Sequence, residues 1–264
     1  MDDVLNGQWS LILGVSAGMG RSTALGLAAA GCNIAGVHLD TSGRQHEVDQ
    51  LVEELRAFGV RVEFFNANAA SASVRAEVVA KLGKLTDGAG VRVLMHSLAF
   101  GSLVPLLPLP EQPGATARQI DMTFNVMANS LIYWFQDLFA AGLLVDGSKV
   151  FAMTSAGTAR FTSHYGPVSA AKAALESHVR QLAVEAAPHG ISVNALRAGI
   201  TLTESFRRIP GSDALSERAS LGNPHGRLTT PEDVAEAVVL LSRARSSWIT
   251  GNVIGVDGGE FLTV

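Results

Sequence analysis

The sequence predicts an α/β fold: one domain built on a doubly wound, seven-stranded parallel sheet with helices on both faces. Three observations carry this expectation. Short apolar runs alternate along the whole chain with segments whose apolar residues recur three and four apart, as crossovers between parallel strands require. The first such unit reads strand, glycine-rich turn, helix. No low-complexity linker or repeat divides the 264 residues, a length that buries a substantial core.

From Trp9, WSLILGV is the first strand, and SAGMG leads into the helix RSTALGLAAAG. Gly14, Gly18 and Gly20 fall in that turn, where one lets the chain reverse and the others let backbone approach a pyrophosphate at a helix N-terminus. Among 27 glycines such a triplet arises easily by chance, and its position after a strand gives it weight. CNIAGVHL is the second strand and leads to Asp40, 20 residues after Gly20. A dinucleotide fold can place a carboxylate there on the adenosine ribose hydroxyls, which favours NAD over NADP. Alternatively Asp40 caps the helix around residues 43–58, and Arg44 receives a ribose phosphate. RVEFFNANAA is the third strand with a loop at Asn68; residues 73–85 form a helix, and VRVLMHSLAFG is the fourth strand. A broken or bent helix over 116–144 carries Asn125 and Asn129. SKVFAMTSA is the fifth strand, and because ligands sit outside the carboxyl ends of such strands, Ser155 and His96 are placed to line a site. ISVNALRAG is the sixth, followed by a loop-rich segment over 200–227. TPEDVAEAVVLLS is a helix with Thr230 as cap and Pro231 in its first turn, and NVIGVDG closes the sheet.

Between the fifth and sixth strands, Ala171, Ala174, Leu175, Val179, Leu182 and Ala183 mark one buried face of a helix. Tyr165 and Lys172 stand seven residues apart at its start, about 20° short of two turns and roughly 10 Å of rise, so both side chains can face one cleft. The chain has 2 Tyr, and Lys172 is its last lysine. Either they form a catalytic pair or a buried Tyr lies beside a snorkelling Lys.

Composition narrows the function classes. A 47% hydrophobic, 17% charged chain with net charge -4 describes a compact soluble protein and argues against nucleic acid as partner, which needs a basic face. Cys32 is the only cysteine, so no intrachain disulfide forms and a reducing compartment, the cytoplasm, is expected. MDDVLNGQ lacks the order of a secretory signal, and the uncharged runs 22–39 and 93–110 are broken by glycines, Asn33 and prolines, so no membrane span is expected. The histidines show no metal-ligand spacing.

LGVSAGMG, Asn68 after the third strand, VNALRAGITLT, GRLTTPEDVAEAVVLL and ITGNVIGVDGG together resemble the short-chain dehydrogenase/reductase family over nearly the whole chain. Common members carry a Tyr four residues before the helix Lys, where this chain has Val168. The seven-residue spacing of Tyr165, the run HSLAFG with Ser97, and AGITLT are similar instead to the enoyl-acyl-carrier-protein reductase branch. The tail from PHGR to VDGGEFLTV resembles the version of these reductases nearest the ordinary pattern. Leu13 replaces a usual Thr, Ala198 a usual Pro, and Ala17 a basic residue facing a ribose phosphate.

The resemblance implies a Rossmann fold, an NAD- or NADP-dependent oxidoreductase, and a homotetramer with the helices of Tyr165 and Thr116 at subunit contacts. It implies that Ser16, Met19, Asn68, Ala69, Ser97, Gly199, Ile200 and Thr203 join the three glycines and Asp40 around the cofactor. Lys172 would hold the nicotinamide ribose, and Asn125 or Asn129 would take the family's helix Asn role. The activity implied is reduction of the trans-2 double bond of an enoyl thioester carried by coenzyme A or acyl carrier protein. If Ser155 and Tyr165 bind a ketone oxygen, the chain is a carbonyl reductase or alcohol dehydrogenase, for example a 3-ketoacyl reductase. A third reading is a non-catalytic dinucleotide-binding scaffold or sensor. Residues 201–227 are expected to form a substrate-loop insertion, and LVPLLPLP to line the pocket or meet a neighbouring subunit.

Overall fold

The computed structural model describes residues 4–263; the first three residues of the acidic opening and the last of the tail lie outside them. Seven parallel strands form one sheet in the order β3-β2-β1-β4-β5-β6-β7. They are β1 (Trp9–Leu13), β2 (Asn33–His38), β3 (Val62–Asn66), β4 (Val93–His96), β5 (Lys149–Ser155), β6 (Ser192–Ala198) and β7 (Val253–Val256). Both faces are covered, so the strands read as unbroken apolar runs. Alternate residues serve the two sides: Leu11 and Leu13 join one core, and Ile12 the other.

The first core packs under α3 (Ala72–Leu85), α5 (Ser130–Ala140) and α6 (Gly166–Ala186), with Leu82, Trp134, Leu138, Leu175 and Val179 fully buried. The second lies under α1 (Gly18–Ala29), α2 (Gln45–Arg56) and α9 (Pro231–Ser242), around Leu27, Leu51, Leu55 and Val234. Thr230 caps α9 in a reciprocal box with Asp233 and Pro231 enters its first turn, as the sequence predicts. Ala171, Leu175, Val179, Leu182 and Ala183 are the buried stripe of α6.

One segment bends as expected, and two differ from the sequence reading. The bend within 116–144 is a π-helical turn, Asn125–Asn129, between α4 (Ala117–Phe124) and α5; Thr116 caps α4 through Gln119. Strand β4 stops at His96, since Ser97 makes one last bond to Leu13 and the chain then leaves the sheet. The 200–227 segment holds two helices, α7 (Glu204–Arg207) and α8 (Ser212–Gly222). Thr203 caps the first, and Gly211, at φ 79°, breaks the chain before the second; these punctuating residues conceal the helices in the sequence. The chain ends in α10 (Glu260–Thr263). Among the described residues no helix is long and apolar enough to cross a membrane.

Strand order reverses between β2-β1 and β1-β4, which opens a crevice at the carboxyl ends of these strands. The loop after β3 that enters this crevice is tied down by Trp134, whose indole N–H donates to Ala69 O at 2.8 Å. Trp134→Phe should leave that buried carbonyl unpaired and lower the unfolding free energy by about 1–3 kcal/mol, measured by urea denaturation.

Candidate active site

A cavity of about 670 Å³ opens at the carboxyl ends of β4, β5 and β6. Tyr165 is the residue immediately before α6, and its hydroxyl donates to Ser155 Oγ at 3.3 Å across the end of β5. Burial pushes the phenol pKa up, against the bond to Ser155, so the group stays protonated and able to donate at neutral pH. Gly157 makes room for the ring: a Cβ there would lie 2.6 Å from Tyr165 Cε1. Ser169 on α6 donates to Gly157 O at 2.6 Å and locks this turn against the helix. Ser155 makes no side-chain cap bond to the turn that follows it.

Two turns on, Lys172 is 5% exposed and donates from Nζ to Met153 O at 2.7 Å and Leu98 O at 3.4 Å. Burial lowers its pKa to about 7. His96 does not line the cavity, contrary to the reading from its strand end. As the last residue of β4 it points to the α5 side, where Nε2 meets Ser130 Oγ at 2.8 Å. Because the Ser130 hydroxyl already donates to Val126 O, Nε2 carries the proton in that contact. Burial, then the charge of Lys172, lowers the His96 pKa to about 3.

The structure brings Met19, Ser97, Ser155, Tyr165, Lys172, Gly199, Ile200 and Thr203 to this one cavity. Gly14, Ser16, Gly18, Gly20, Asp40, Asn68 and Ala69 do not line it. Gly14 and Gly18 lie beside two of its lining residues: a Cβ on Gly14 would lie 2.5 Å from Ser97 O, and one on Gly18 3.2 Å from Thr203 Cγ2. Asn68 Oδ1 accepts from Ala70 N. Burial opposes ionisation of Asp40, but hydrogen bonds from Ser16 and His38 and the nearby Arg44 together hold its carboxyl below the usual value. Asp40 therefore serves this network and caps no helix; Thr41 and Arg44 take the cap positions. The π turn sends Met127 into the cavity, whereas Asn129 turns to His178 at 3.2 Å and Asn125 is not among the lining residues.

A dinucleotide fits this crevice. A Cβ at Gly20 would sit 2.0 Å from Gly14 O, so the turn exists only with glycine there. Helix α1 has Ala17 at its cap, no side-chain cap bond and no acid in its first turn, which leaves its amino end to an anion.

A family model described as "Enoyl-(Acyl carrier protein) reductase" matches residues 14–260. The chain belongs to the short-chain dehydrogenase/reductase family. This makes it an NAD(P)-dependent oxidoreductase. Among its relatives, L-xylulose reductase of Mesocricetus auratus is 29% identical over 266 residues, covering 100% of both chains. The 3-oxoacyl-[acyl-carrier-protein] reductase of Aquifex aeolicus is 29% identical, covering 99% of this chain and 100% of that one. The solved structure of enoyl-[acyl-carrier-protein] reductase (NADH) from Aquifex aeolicus VF5 superposes with a TM-score of 0.82 at 25% identity, covering 98% of each chain.

In this short-chain dehydrogenase/reductase the cavity is also lined by residues that the sequence does not single out. Glu260 is 5% exposed, lines the cavity, and accepts from Ile200 N with both oxygens at 3.1 Å. Burial raises its pKa. Arg160 and Phe161 line the cavity too, and Arg160 is tied to the chain's end through Phe261 O and its ring. Such tail-to-cavity contacts have no local signal; an acid following a glycine pair was the one visible cue.

The unfolded chain holds the Lys172 proton to about pH 10.4, and the folded chain releases it at about 7. Between these values the unfolded state binds the extra proton, so stability rises with pH. The unfolding free energy of the wild type minus that of Lys172→Met should therefore climb between about pH 8 and 10, by up to about 1.4 kcal/mol per unit. A flat difference would show that the ammonium is not desolvated.

Proposed function

We propose that the enzyme reduces the trans-2 double bond of an enoyl thioester with NAD(P)H. The observation that carries this reading is the entry of the Tyr165 hydroxyl, seven residues before Lys172, into an apolar-walled cavity shared with that lysine. Leu98, Phe100, Leu103, Val168, Phe206 and Ile209 line it and suit an acyl chain.

The nicotinamide cofactor, when bound, supplies the hydride for the β carbon. Gly14, Gly18, Gly20 and the amino end of α1 would hold its pyrophosphate, Asp40 its adenosine ribose, and Lys172 its other ribose; Ser16, Met19, Asn68, Ala69, Ser97, Gly199, Ile200 and Thr203 would border it. Tyr165 donates its O–H to the thioester oxygen, a bond that strengthens as negative charge gathers there and so lowers the barrier, until the α carbon takes a proton drawn from solvent and the saturated thioester is complete. The Lys172 ammonium keeps the local potential positive for that charge. Phe206, Ile209 and Leu215, from α7, α8 and their junction, close the acyl side and exclude water.

The second reading, carbonyl reduction, is favoured by the 3.3 Å contact of Tyr165 with Ser155, since two hydroxyls so placed can grip one ketone oxygen. Cytoplasmic placement and a homotetramer belong to the same proposal. The exposed Phe139 on α5 and Val184 on α6 support the tetramer as apolar groups on the faces assigned to subunit contacts.

Tyr165→Phe should lower kcat on crotonyl thioesters by about 10²–10⁴-fold. Rates within about threefold of wild type would remove Tyr165 from this role. Faster cofactor oxidation with acetoacetyl than with crotonyl thioesters selects the carbonyl reading. Cofactor binding with no turnover on either selects the scaffold.

A further inference from the structure

The rim of the crevice beside Asp40 carries a contact between distant parts of the chain. Arg44 Nη1 lies 2.8 Å from Glu204 Oε2, although the two residues are 160 positions apart. Glu204 opens α7 directly after Thr203, whose Cγ2 faces Gly18 of the glycine turn. The segment leaving β6 thus crosses the turn and clasps the β2–α2 connection. The rest of the guanidinium is also taken: Nε and Nη2 both bond Glu47 Oε2, at 3.1 and 2.9 Å, and Nη1 lies 3.6 Å from Asp40 Oδ1. Three carboxylates therefore face one cation, and the rim is net negative before any ligand arrives.

We propose that Glu204 selects the cofactor: by occupying Arg44 it denies that guanidinium to a ribose phosphate, so that the enzyme takes NADH in preference to NADPH. A 2′-phosphate brings roughly two negative charges and three strong acceptors. To use Arg44 it must displace the Glu204 carboxylate while sitting close to Asp40 and Glu47. A free 2′-hydroxyl has no such cost, because it can donate to Asp40 and leaves the Arg44 contacts in place. The Glu204 bond is exposed, with side chains 30% and 58% accessible, so it is individually weak and within reach of competition by a phosphate. Its effect is on choice between ligands more than on stability. The proposal rests on the dinucleotide site described above, and is independent of which substrate is reduced.

NADH and NADPH would be titrated by nicotinamide fluorescence into wild type, Glu204→Gln, Arg44→Gln and the double variant. Wild type is expected to bind NADH more tightly. Glu204→Gln should tighten NADPH by about tenfold and leave NADH within about threefold, an electrostatic effect that shrinks at high salt. In the Arg44→Gln background the same change should no longer tighten NADPH. A tighter wild-type complex with NADPH, or an unmoved ratio in Glu204→Gln with NADH still bound, overturns the role of Glu204 alone. Failure of wild type to bind either dinucleotide overturns the cofactor site and this proposal with it.

Discussion

A buried ammonium must find acceptors, and the interior of a parallel sheet offers few, because the ladder uses its carbonyls. Lys172 is placed where that shortage ends. Strand β4 pairs with β5 only as far as His96 opposite Ala152, so from Met153 onward β5 has an open edge on that side. Met153 O and, from the chain leaving β4, Leu98 O become available, and Lys172 takes both. The unequal lengths of two neighbouring strands thus create the place where this sheet seats Lys172. Helix α6 has to cross the carboxyl end of the sheet to deliver it.

Once α6 is fixed there, the position of Tyr165 follows from the same axis, two turns nearer the amino end. Its approach is controlled by neighbours that are themselves constrained. His164, directly before it, has a left-handed backbone at φ 61°, a conformation that costs a non-glycine residue of order 1 kcal/mol. Its ring is held by Ser163 and by Gln112, each at 2.8 Å, and Gln112 belongs to the loop whose Leu106 packs on Gly166. The bonds that keep the strained residue in place join the 103–112 loop to the start of α6. The segment LVPLLPLP therefore does two things: Leu103 reaches the cavity, and Leu106, with Gln112 just beyond the segment, belongs to the brace around the tyrosine.

Most of the fold was legible because strands buried on both faces leave a plain mark, an apolar run, and because a cap such as Thr230 acts locally. The pair Tyr165 and Lys172 was legible for the same reason, since their spacing is a property of one helix. What escaped depends on distance. Gly157 admits the tyrosine ring, but nothing in the sequence separates it from the other glycines, as the ring arrives from eight residues away through a folded turn. Glu260 meets Ile200 only after the tail returns to the sheet. The misplacement of His96 was avoidable: alternation along β4 sets His96 and Leu94 on one face and Val93 and Met95 on the other, so the histidine belongs with the helices of the first core.

Val168 bears on whether the displaced tyrosine is an accident. If the position four before Lys172 had merely lost a phenol, the space of a ring should be loosely filled around it. Instead Gly101 comes so near that a Cβ on it would stand 2.7 Å from Val168 Cγ2, with Met127 Sδ and Thr123 Cγ2 at 2.7 and 2.8 Å from the same point. Val168 itself is 3% exposed and forms part of the cavity wall. Dense packing of this kind rejects a larger side chain, since overfilling a close-packed wall costs about 1–3 kcal/mol. The wall is built for valine, Met127 arrives at it through the π turn, and the hydroxyl enters from Tyr165 instead. Wall, helix bend and tyrosine position form one consistent arrangement, in which the phenol enters the cavity from the mouth side of the helix and not from the turn nearest the lysine.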